Sequence, residues 1–411
     1  MNPETHERSI ADYKPIVGEN VIDQLQRLAK KLNGARVLHV NSTAKGGGVA
    51  EILNWMIPML HDLEINAEWH VIKGDQPFFN VTKNFHNALQ GKECLLPAED
   101  ERIYLEHNEK NAAELDLDAD HVFIHDPQPA SLIEHRTRGT WIWRCHIDIS
   151  QPCQSVWDFL KQYVNKYNAS IFSMPEFAQS LPIPQYLVPP SIDPLSEKNR
   201  ELAEEEIAKE LEKLEITHEK PILLQVSRFD RFKDPIGVIK AYKLVKKHKD
   251  CILVLAGGEA TDDPEGPAVL QEVRNHAAED PDIRILSLPP LSDTRINALQ
   301  RTADIIIQKS VKEGFGLTVT EGLWKGKPVI GGEVGGIKMQ IQNGINGYLV
   351  NSVEGTAYRI RQLLHNPQMA AKMGTYAREY VRHNFLLTRH IRDHLAIMIA
   401  TQHPQETYIQ V

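Results

Sequence analysis

The chain has 411 residues, which is more than one ordinary hydrophobic core holds and indicates two or three domains. Its formal charge of −9 argues against nucleic acid or an anionic membrane as a partner, although a local basic pocket for phosphates is still compatible with it. The chain is 42% hydrophobic and 25% charged, has no apolar run near the roughly 20 residues that span a bilayer, and starts with polar residues unlike a signal peptide, so we expect a cytoplasmic protein.

The four cysteines are scattered and show no C-x-x-C spacing of the kind that binds metals. We expect reduced, mostly buried thiols, as is usual inside cells. Cys145 and Cys153 are close enough in sequence for a bridge between them to be the alternative.

The first predicted strand covers residues 36–41 and runs into a glycine-rich loop that contains Gly47 and Gly48. A helix with an apolar face follows, so the segment opens a doubly wound sheet, in which ligands bind beyond the carboxyl ends of the strands. The loop is neither the dinucleotide fingerprint nor a P-loop. A plain turn is therefore the alternative to a ligand-binding loop.

Two further strands end in polar residues. The strand 121–125 leads into Asp126, and the strand 140–146 ends at His146. Asp126 is either a binding residue or a capping residue of the proline-rich loop that follows. The other predicted strands and helices of this half lie at residues 21–32 (helix), 68–73 (strand), 82–91 (helix), 99–115 (helix) and 169–174 (strand), and a proline-rich linker is predicted over 182–194.

After this linker a charged helix is predicted over 199–214, and then strands and helices alternate, which implies a second parallel sheet with right-handed crossovers. The predicted strands are 221–226, 251–256, 283–286, 304–308 and 327–331, the predicted helices are 235–248, 269–278, 293–301, 317–325 and 336–342, and the tail over 368–401 is helical in pattern.

The most informative stretch is residues 309–326, between a strand rich in Ile and a helix. Glu313 lies in the loop and Glu321 lies in the helix, so both carboxylates can face one pocket while several ångströms apart. Gly314 and Gly316 permit backbone angles closed to other residues and a close approach of the amides to a ligand. The spacing suits the two ends of a sugar nucleotide, and the alternative is a surface Glu followed by an ordinary helix Glu.

Two cations, Arg228 and Lys233, follow the first strand of the second sheet and are separated by five positions on a turn. Both can reach one pyrophosphate, where Arg offers two parallel donors and Lys a point charge. Since no D-x-D motif stands at a strand end, we expect these cations to replace a metal ion. The alternative is two surface cations at a helix start.

The pattern E-G-F-G-L-x-x-x-E resembles the E-x7-E motif of retaining glycosyltransferases of the GT-B type, family 4. The resemblance extends over nearly the whole chain, through the loop KGGGVAE and the run SRFDRFKDP. Within that family the runs HVNSTAKGGGVAEIL, IHDPQP, WRCHIDIS and VPPSIDPLSEKN are most similar to the trehalose glycosyltransferring synthases, with the retaining trehalose phosphorylases next.

The resemblance implies an α/β fold with two doubly wound, Rossmann-like domains facing each other across a cleft. The expected boundaries are 1–190 for the acceptor-side domain, 195–384 for the nucleotide-sugar donor domain, and helices at about 385–411 that return to the first domain. Possible homodimerisation is implied in the same way. Retention of the sugar's configuration is implied too, with a phosphate oxygen taking the proton of the acceptor.

The resemblance also implies roles for individual residues. Glu313 would lie against the donor sugar, Glu321 would hold the ribose, and His146 would lie beside the donor sugar, with Asp126 as a further acceptor-side candidate. Catalytic roles are expected for Arg228, Lys233, Glu313 and His146, and the expected donor-binding set is Gly47, Gly48, Arg228, Lys233, Glu313, Gly314, Phe315, Gly316, Leu317 and Glu321. Gly335 and Gly336 form another turn, near the phosphates or purely structural.

The function expected from these observations is reversible formation of trehalose from a nucleoside-diphosphate glucose (ADP-, UDP- or GDP-glucose) and free glucose, with no tightly bound cofactor. The alternatives are a retaining trehalose phosphorylase that uses glucose 1-phosphate, another family-4 sugar-nucleotide transferase, a nucleotide-sugar epimerase, and a nucleotide-sugar sensor without catalysis.

Overall fold

The computed structural model describes residues 8–44, 48–258 and 266–405. The chain divides into two compact units, one made of Met1–Ser191 with Leu387–Val411 and the other of Ile192–Leu386. We call them unit 1 and unit 2. The chain therefore leaves unit 1 once and returns to it with its last helix.

Unit 1 is built on a six-stranded parallel sheet in the order β2-β1-β3-β4-β5-β6. Its strands are β1 Arg36–Asn41, β2 Asn66–Val71, β3 His121–His125, β4 Thr140–Arg144, β5 Ala169–Phe172 and β6 Gln185–Leu187. Its helices are α1 Lys14–Val17, α2 Glu19–Lys30, α3 Gly48–Asp62, α4 Gln76–Leu89, α5 Ala98–Glu114 and α6 Gln154–Val164.

Unit 2 contains a second six-stranded parallel sheet, in the order β12-β11-β10-β7-β8-β9. Its strands are β7 Ile222–Val226, β8 Ile252–Gly257, β9 Ile283–Ser287, β10 Ile305–Gln308, β11 Val329–Gly332 and β12 Gly347–Val350. Its helices are α7 Glu204–Lys213, α8 Pro235–Lys246, α9 Gly266–Ala277, α10 Asp293–Thr302, α11 Leu317–Trp324, α12 Ile337–Gln340, α13 Val353–His365 and α14 Pro367–Asn384, and α15 Leu387–Gln402 belongs to unit 1. Short 3-10 turns lie at Ile10–Tyr13, Ala130–His135, Pro175–Phe177 and Arg231–Lys233.

Both sheets have the strand orders of doubly wound folds. The central strands are apolar and fully buried, as in β7 and β10, because helices cover both faces of a parallel sheet. In unit 2 the chain moves outward in one direction from β7 to β8 and β9, and in the other from β10 to β11 and β12. The predicted α/β class with two doubly wound, Rossmann-like sheets is confirmed.

Several predicted boundaries were wrong. The proline-rich span 182–194 is not simply a linker, because β6 lies inside it and pairs with β5 through Ile171 and Tyr186. The charged helix begins at Glu204 rather than at residue 199. The helical tail is two helices, interrupted at Phe385 and Leu386, and Leu386 forms a bridge with Ile192.

All four cysteines are free thiols, so the alternative of a Cys145–Cys153 bridge is not realised. Cys153 lies against a different cysteine, with its Sγ 3.2 Å from the carbonyl oxygen of Cys94. No helix in the described part of the chain is long and apolar enough to cross a membrane.

Candidate active site

The candidate donor residues of unit 2 lie where the strand order reverses. β7 and β10 are hydrogen-bonded neighbours, with Ile305 opposite Leu223, yet the helices that follow them lead away in opposite directions along the sheet. Such a reversal leaves a crevice at the carboxyl ends of the two strands, and ligands of doubly wound sheets bind there. Arg228 and Lys233 follow β7, and Glu313 follows β10.

Lys233 and Glu313 come together in this crevice although they are far apart in sequence. The Nζ of Lys233 is 2.6 Å from Oε2 of Glu313, and the hydroxyl of Ser310 donates to the same oxygen at 3.2 Å. The two charged side chains are only 18% and 9% exposed, so water screens their attraction weakly. The pair therefore fixes a carboxylate and an ammonium side by side at the floor of the crevice.

Arg228 is held more loosely than Lys233. Its side chain is 53% exposed, and its Nη2 lies 3.7 Å from Oδ2 of Asp230. A half-exposed guanidinium keeps most of its donors free for an anion. Asp234, which directly follows Lys233, has a left-handed backbone, caps α8 by accepting from the amide of Gly237 at 3.0 Å, and pairs with Lys309.

The loop from Glu313 into α11 depends on glycines packed tightly against it. Gly316 has a φ of +83° and is the N-cap residue of α11, and a Cβ on Gly335 would lie 1.6 Å from the carbonyl oxygen of Glu313. The amide of Gly336 donates to the carbonyl of Gly314 at 3.0 Å. Gly335 and Gly336 therefore have a structural role, because they hold the backbone that carries Glu313.

Phe315 and Leu317 differ in their surroundings. Phe315 is buried, packs edge-on against Phe385 with ring centroids 5.7 Å apart, and its carbonyl accepts from Nε2 of Gln340 at 2.6 Å. Leu317 is the first residue of α11 and is partly exposed. Phe315 therefore anchors the loop, and the backbone around it is what the loop can offer to a ligand.

Glu321 has hydrogen-bonding and charged partners different from those of the Lys233–Glu313 pair. Its Oε2 accepts a hydrogen bond from Nε2 of Gln300 at 2.9 Å, and its Oε1 is 3.9 Å from Nζ of Lys198. One turn further along, burial lowers the pKa of Lys325 to about 7, and Nζ of Lys325 donates to Asn199 at 3.0 Å. The Glu321 carboxylate is thus held in place by neighbours from two other segments.

In unit 1, Asp126 and His146 are brought together. The backbone N–H of His146 donates to Oδ1 of Asp126 at 2.7 Å, and Asp126 has a φ of +66°. Burial raises the pKa of the Asp126 carboxyl to about 6 and lowers the pKa of the His146 imidazole well below its usual value. His146 is therefore a neutral ring that accepts or donates hydrogen bonds without carrying a charge. Asp126 thus acts at least as a cap of the His146 loop.

Of the glycine-rich loop, Gly47 lies outside the described residues, and Gly48 is the first residue of α3. β1, which precedes these glycines in sequence, pairs with β3, so its carboxyl end lies at the edge of the sheet where Asp126 begins its own loop. Across residues 8–44, 48–258 and 266–405, no group of three or more His, Cys, Asp or Glu side chains is arranged to hold a metal ion.

Several contacting residues were not singled out from the sequence. Ser310 belongs to the informative stretch 309–326, and Lys198 to the run VPPSIDPLSEKN, so a local signal existed for both. Gln300 on α10 and Gln340 on α12 stand in segments with no motif. They reach Glu321 and Phe315 only because the fold places their helices beside α11.

Comparison with known proteins gives consistent results along the whole chain. A family model described as trehalose synthase, N-terminal domain, matches residues 39–179, and one described as glycosyl transferases group 1 matches residues 206–380. The trehalose synthase of Pyrococcus horikoshii is 46% identical over 402 residues, which cover 95% of this chain and 96% of the relative. This chain belongs to the trehalose synthase family of glycosyltransferases.

Family membership makes the protein a glycosyltransferase of the trehalose-related group. The trehalose synthase of Rubrobacter xylanophilus is 45% identical, over 95% of this chain and 96% of the relative. The trehalose phosphorylase of Pleurotus pulmonarius is 28% identical, over 90% of this chain and 58% of the relative. The predicted resemblance to this group is confirmed.

Solved structures support the GT-B fold of the family. An α,α-trehalose-phosphate synthase from Burkholderia xenovorans has a TM-score of 0.71 at 14% identity, over 88% of this chain and 99% of that chain. A sucrose-phosphate synthase from Thermosynechococcus elongatus has a TM-score of 0.66 at 15% identity, over 90% of this chain and 98% of that chain. At these identities the likeness concerns the fold.

Proposed function

We propose that the protein is a retaining glucosyltransferase that forms trehalose, reversibly, from a nucleoside-diphosphate glucose and free glucose. The observation that carries the proposal is the Lys233–Glu313 pair at the strand-order reversal of unit 2, with the half-exposed Arg228 on the same loop as Lys233. Fixed cations beside a carboxylate suit a ligand with a diphosphate next to a sugar.

In this proposal Arg228 and Lys233 bind the diphosphate. An ammonium has three donors, and Glu313 occupies one of those of Lys233, so the others remain for phosphate oxygens. The C1–O bond of the donor breaks with its electron pair leaving on the diphosphate, which the two cations stabilise. The acceptor hydroxyl forms the new C1–O bond on the same face, and a phosphate oxygen takes its proton.

The sugar and the nucleoside would be held by neighbouring groups. Glu313 lies against the donor sugar, and the amides of the loop from Gly314 to Leu317 bind its hydroxyls. Glu321 accepts hydrogen bonds from the ribose, a use of a carboxylate that other nucleotide-binding α/β folds share. The Gly47–Gly48 loop lies near the phosphates and the acceptor, with His146 beside the donor sugar and Asp126 on the acceptor side.

The main alternative is a retaining trehalose phosphorylase, which would use glucose 1-phosphate. The chain is 46% identical to relatives called trehalose synthase, with coverage of nearly their full length, and 28% identical to relatives called trehalose phosphorylase, with 58% coverage of theirs. This difference supports the synthase reaction.

The proposal is tested by a product assay with ADP-, UDP- and GDP-glucose, each with and without free glucose, read by chromatography for trehalose. We expect trehalose only when donor and acceptor are both present. Trehalose formed from glucose 1-phosphate and glucose but from none of the nucleotide donors would establish the phosphorylase instead. An epimerised nucleotide sugar without acceptor would establish an isomerase.

We further propose that transfer needs no metal ion, because fixed cations stand where the diphosphate would bind. Transfer activity, measured by the same chromatographic assay for trehalose, should persist in excess EDTA. Loss of activity with EDTA and its return on adding magnesium would contradict the role given to Arg228 and Lys233.

A further inference from the structure

Three histidines in unit 1 form a hydrogen-bonded line that ends at His146. Nδ1 of His39 is 3.0 Å from Nε2 of His125, and Nδ1 of His125 is 2.9 Å from Nε2 of His146. The rings are stacked, with centroids 5.3 Å and 5.2 Å apart along the line. We call these three residues the histidine line.

The register of the sheet explains why the line forms. His39 on β1 lies opposite Phe123 on β3, and His125 is two residues further along β3, so it points to the same face. His125 lies opposite Arg144 on β4, and His146 is again two residues further along. Each step moves one strand across the sheet and two residues toward its carboxyl edge, and His146 lies just past the end of β4, among the candidate acceptor-side residues.

Counting protons shows that the three rings cannot choose their tautomers independently. Burial lowers the pKa of all three imidazoles well below the usual value, so each ring is neutral and carries one N–H. Both nitrogens of His125 are engaged, and one of them must donate while the other accepts. The two hydrogen bonds therefore run in the same direction, and the tautomer of His39 determines that of His146.

The surroundings of His39 select the direction. Its ring stacks on Phe123 at 4.7 Å between centroids, and within the part of the chain that the structure describes its Nε2 has no hydrogen-bond partner. One end of the line must carry an N–H without a protein acceptor in the described residues, and such an N–H is disfavoured at His39, which is 1% exposed, more than at the partly exposed His146, where water or a ligand can accept it. The proton of His39 therefore belongs on Nδ1, which donates to His125. His125 then donates from Nδ1 to Nε2 of His146.

The C-terminal helix brings a fourth histidine close to this line. His394 on α15 lies near both His39 and Phe123, with ring centroids 6.4 Å and 5.4 Å away. Its Nδ1 donates to the carbonyl of His390 at 2.9 Å, because a carbonyl only accepts. The charged and titratable groups that surround His146 are Asp126, Arg144, His39, His125 and His394.

We propose that His125 and His39 are positioning residues that hold His146 as the neutral tautomer with its proton on Nδ1, so that His146 meets the sugar as a hydrogen-bond donor. The meeting with sugar rests on the transfer reaction proposed above. The tautomer itself does not, because it follows from contacts of the free protein.

The first test is ¹⁵N NMR of the free protein labelled only at histidine, with the His146 signals assigned from their loss in His146→Gln. The nitrogen shifts distinguish protonated from bare ring nitrogens, and we expect His146 to have Nδ1 protonated and Nε2 bare. The reverse pattern would overturn the proposal. This measurement needs no substrate, so it stands even if the wild-type protein forms no trehalose, an outcome that would contradict only the proposed function.

The second test uses two amide replacements of His125 that separate its two hydrogen bonds. An Asn amide overlies Nδ1 of the imidazole and keeps a donor for His146, whereas a Gln amide overlies Nε2 and keeps the bond to His39 only. We expect His125→Asn to retain the Nδ1-protonated His146 and transfer within a few-fold of wild type. In His125→Gln the tautomer of His146 should no longer be fixed, and kcat should fall roughly 10-fold to 100-fold. This effect is smaller than that of removing a transition-state donor altogether.

A purely structural role for His125 predicts a different result. Both amides leave a similar void in place of the imidazole. Both variants would then have melting temperatures and kcat values lowered by the same amounts, and the tautomer of His146 would be the same in both. Equal kcat losses in His125→Asn and His125→Gln would overturn the positioning role. Restored transfer in the Asn variant alone, at matched melting temperatures, would support it.

Discussion

At the scale of single residues, the candidate site depends on charges that are already paired before a ligand arrives. Lys233 and Glu313 are nearly buried and 2.6 Å apart, so each compensates the other's desolvation. Arg228 is half exposed and can turn toward an anion. Lys233 is therefore the fixed cation of the crevice and Arg228 the adjustable one.

This difference predicts distinct effects of removing each cation. Arg228→Ala should lower kcat about 10²-fold to 10³-fold, because it removes a donor to the charge that develops on the leaving diphosphate. Lys233→Ala should lower kcat at least as much and also lower the melting temperature, because Glu313 is left unpaired in a nearly buried position. The measurements are steady-state kinetics and thermal unfolding, with Lys240→Ala on the exposed side of α8 as the control. Near-normal turnover of Arg228→Ala would contradict its role at the diphosphate.

Glu321 offers a test of the nucleoside side alone. Glu321→Gln removes the charge but keeps the size of the side chain, so nucleoside-diphosphate binding should weaken about 10-fold to 100-fold, as for a lost hydrogen bond to a charged group. Calorimetric titration with the nucleoside diphosphate measures this directly, with the exposed Glu205→Gln as the matched control. An unchanged dissociation constant would remove Glu321 from the ribose site.

At the scale of elements, most strands and helices follow from local pattern. The strands β1 and β10 were predicted within a residue, since they carry strong apolar signals. β6 and β12 were missed: β6 is a partly exposed three-residue strand within a proline-rich span, and both are edge strands that pair only with β5 and β11. Such strands carry too little local signal to be recognised.

The same reasoning separates the predictable from the unpredictable parts of the candidate site. Glu313, Gly316 and Glu321 lie within one short motif, so the sequence alone singles them out. The groups that position them come from other elements, namely Gln300 on α10 and Lys198 ahead of α7. Their nearness is a tertiary property, and the histidine line likewise depends on strand register rather than on any motif.

The turn between β11 and α12 supports the loop of Glu313, and this support can be tested without assuming that the turn contacts a ligand. Gly335→Ala would place a Cβ against the carbonyl of Glu313, whereas Gly344→Ala meets nothing closer than Tyr348 at 4.0 Å, although both glycines have a positive φ. The control should lose about 1–2 kcal/mol of unfolding free energy from backbone strain alone. Gly335→Ala should lose more than this, by about 1–3 kcal/mol.

Urea unfolding and transfer kinetics together check this prediction. Because the clash falls on the loop that carries Glu313, Gly335→Ala should also lower kcat, and Gly344→Ala should leave kcat near that of wild type. Equal unfolding free energies in the two variants would show that the turn does not support the Glu313 loop.

At the scale of the whole molecule, the two units differ in how many of their histidines have a lowered pKa. Among residues 8–44, 48–258 and 266–405, the histidines with lowered pKa all belong to unit 1, and they are His39, His121, His125, His146, His390 and His394. The pKa of His121 and that of His394 are lowered to about 4 from the usual 6.5. Unit 1 therefore carries a set of neutral rings that the folded state keeps from binding protons.

This asymmetry predicts that unit 1 loses stability first as the pH falls. Above pH 6.5 the rings are neutral in both states; below it the unfolded chain binds protons that the folded state excludes, so the unfolding free energy falls by up to about 1.4 kcal/mol per pH unit for each ring. For His121 and His394 the loss continues down to about pH 4. Asp126, whose pKa is raised to about 6, opposes the trend below that pH as a single group.

Thermal unfolding between pH 4 and pH 8 tests this prediction. Unfolding is monitored by tryptophan fluorescence in the variant Trp324→Phe, which has tryptophans only in unit 1. The fluorescence transition should shift to lower temperature below pH 6.5. His121→Asn should reduce the pH dependence by about one proton, because it removes one of the excluded rings. A melting temperature of unit 1 that stays constant from pH 7 to pH 4.5 would mean that these rings are protonated in the folded state, and the neutral histidine line would then be untenable.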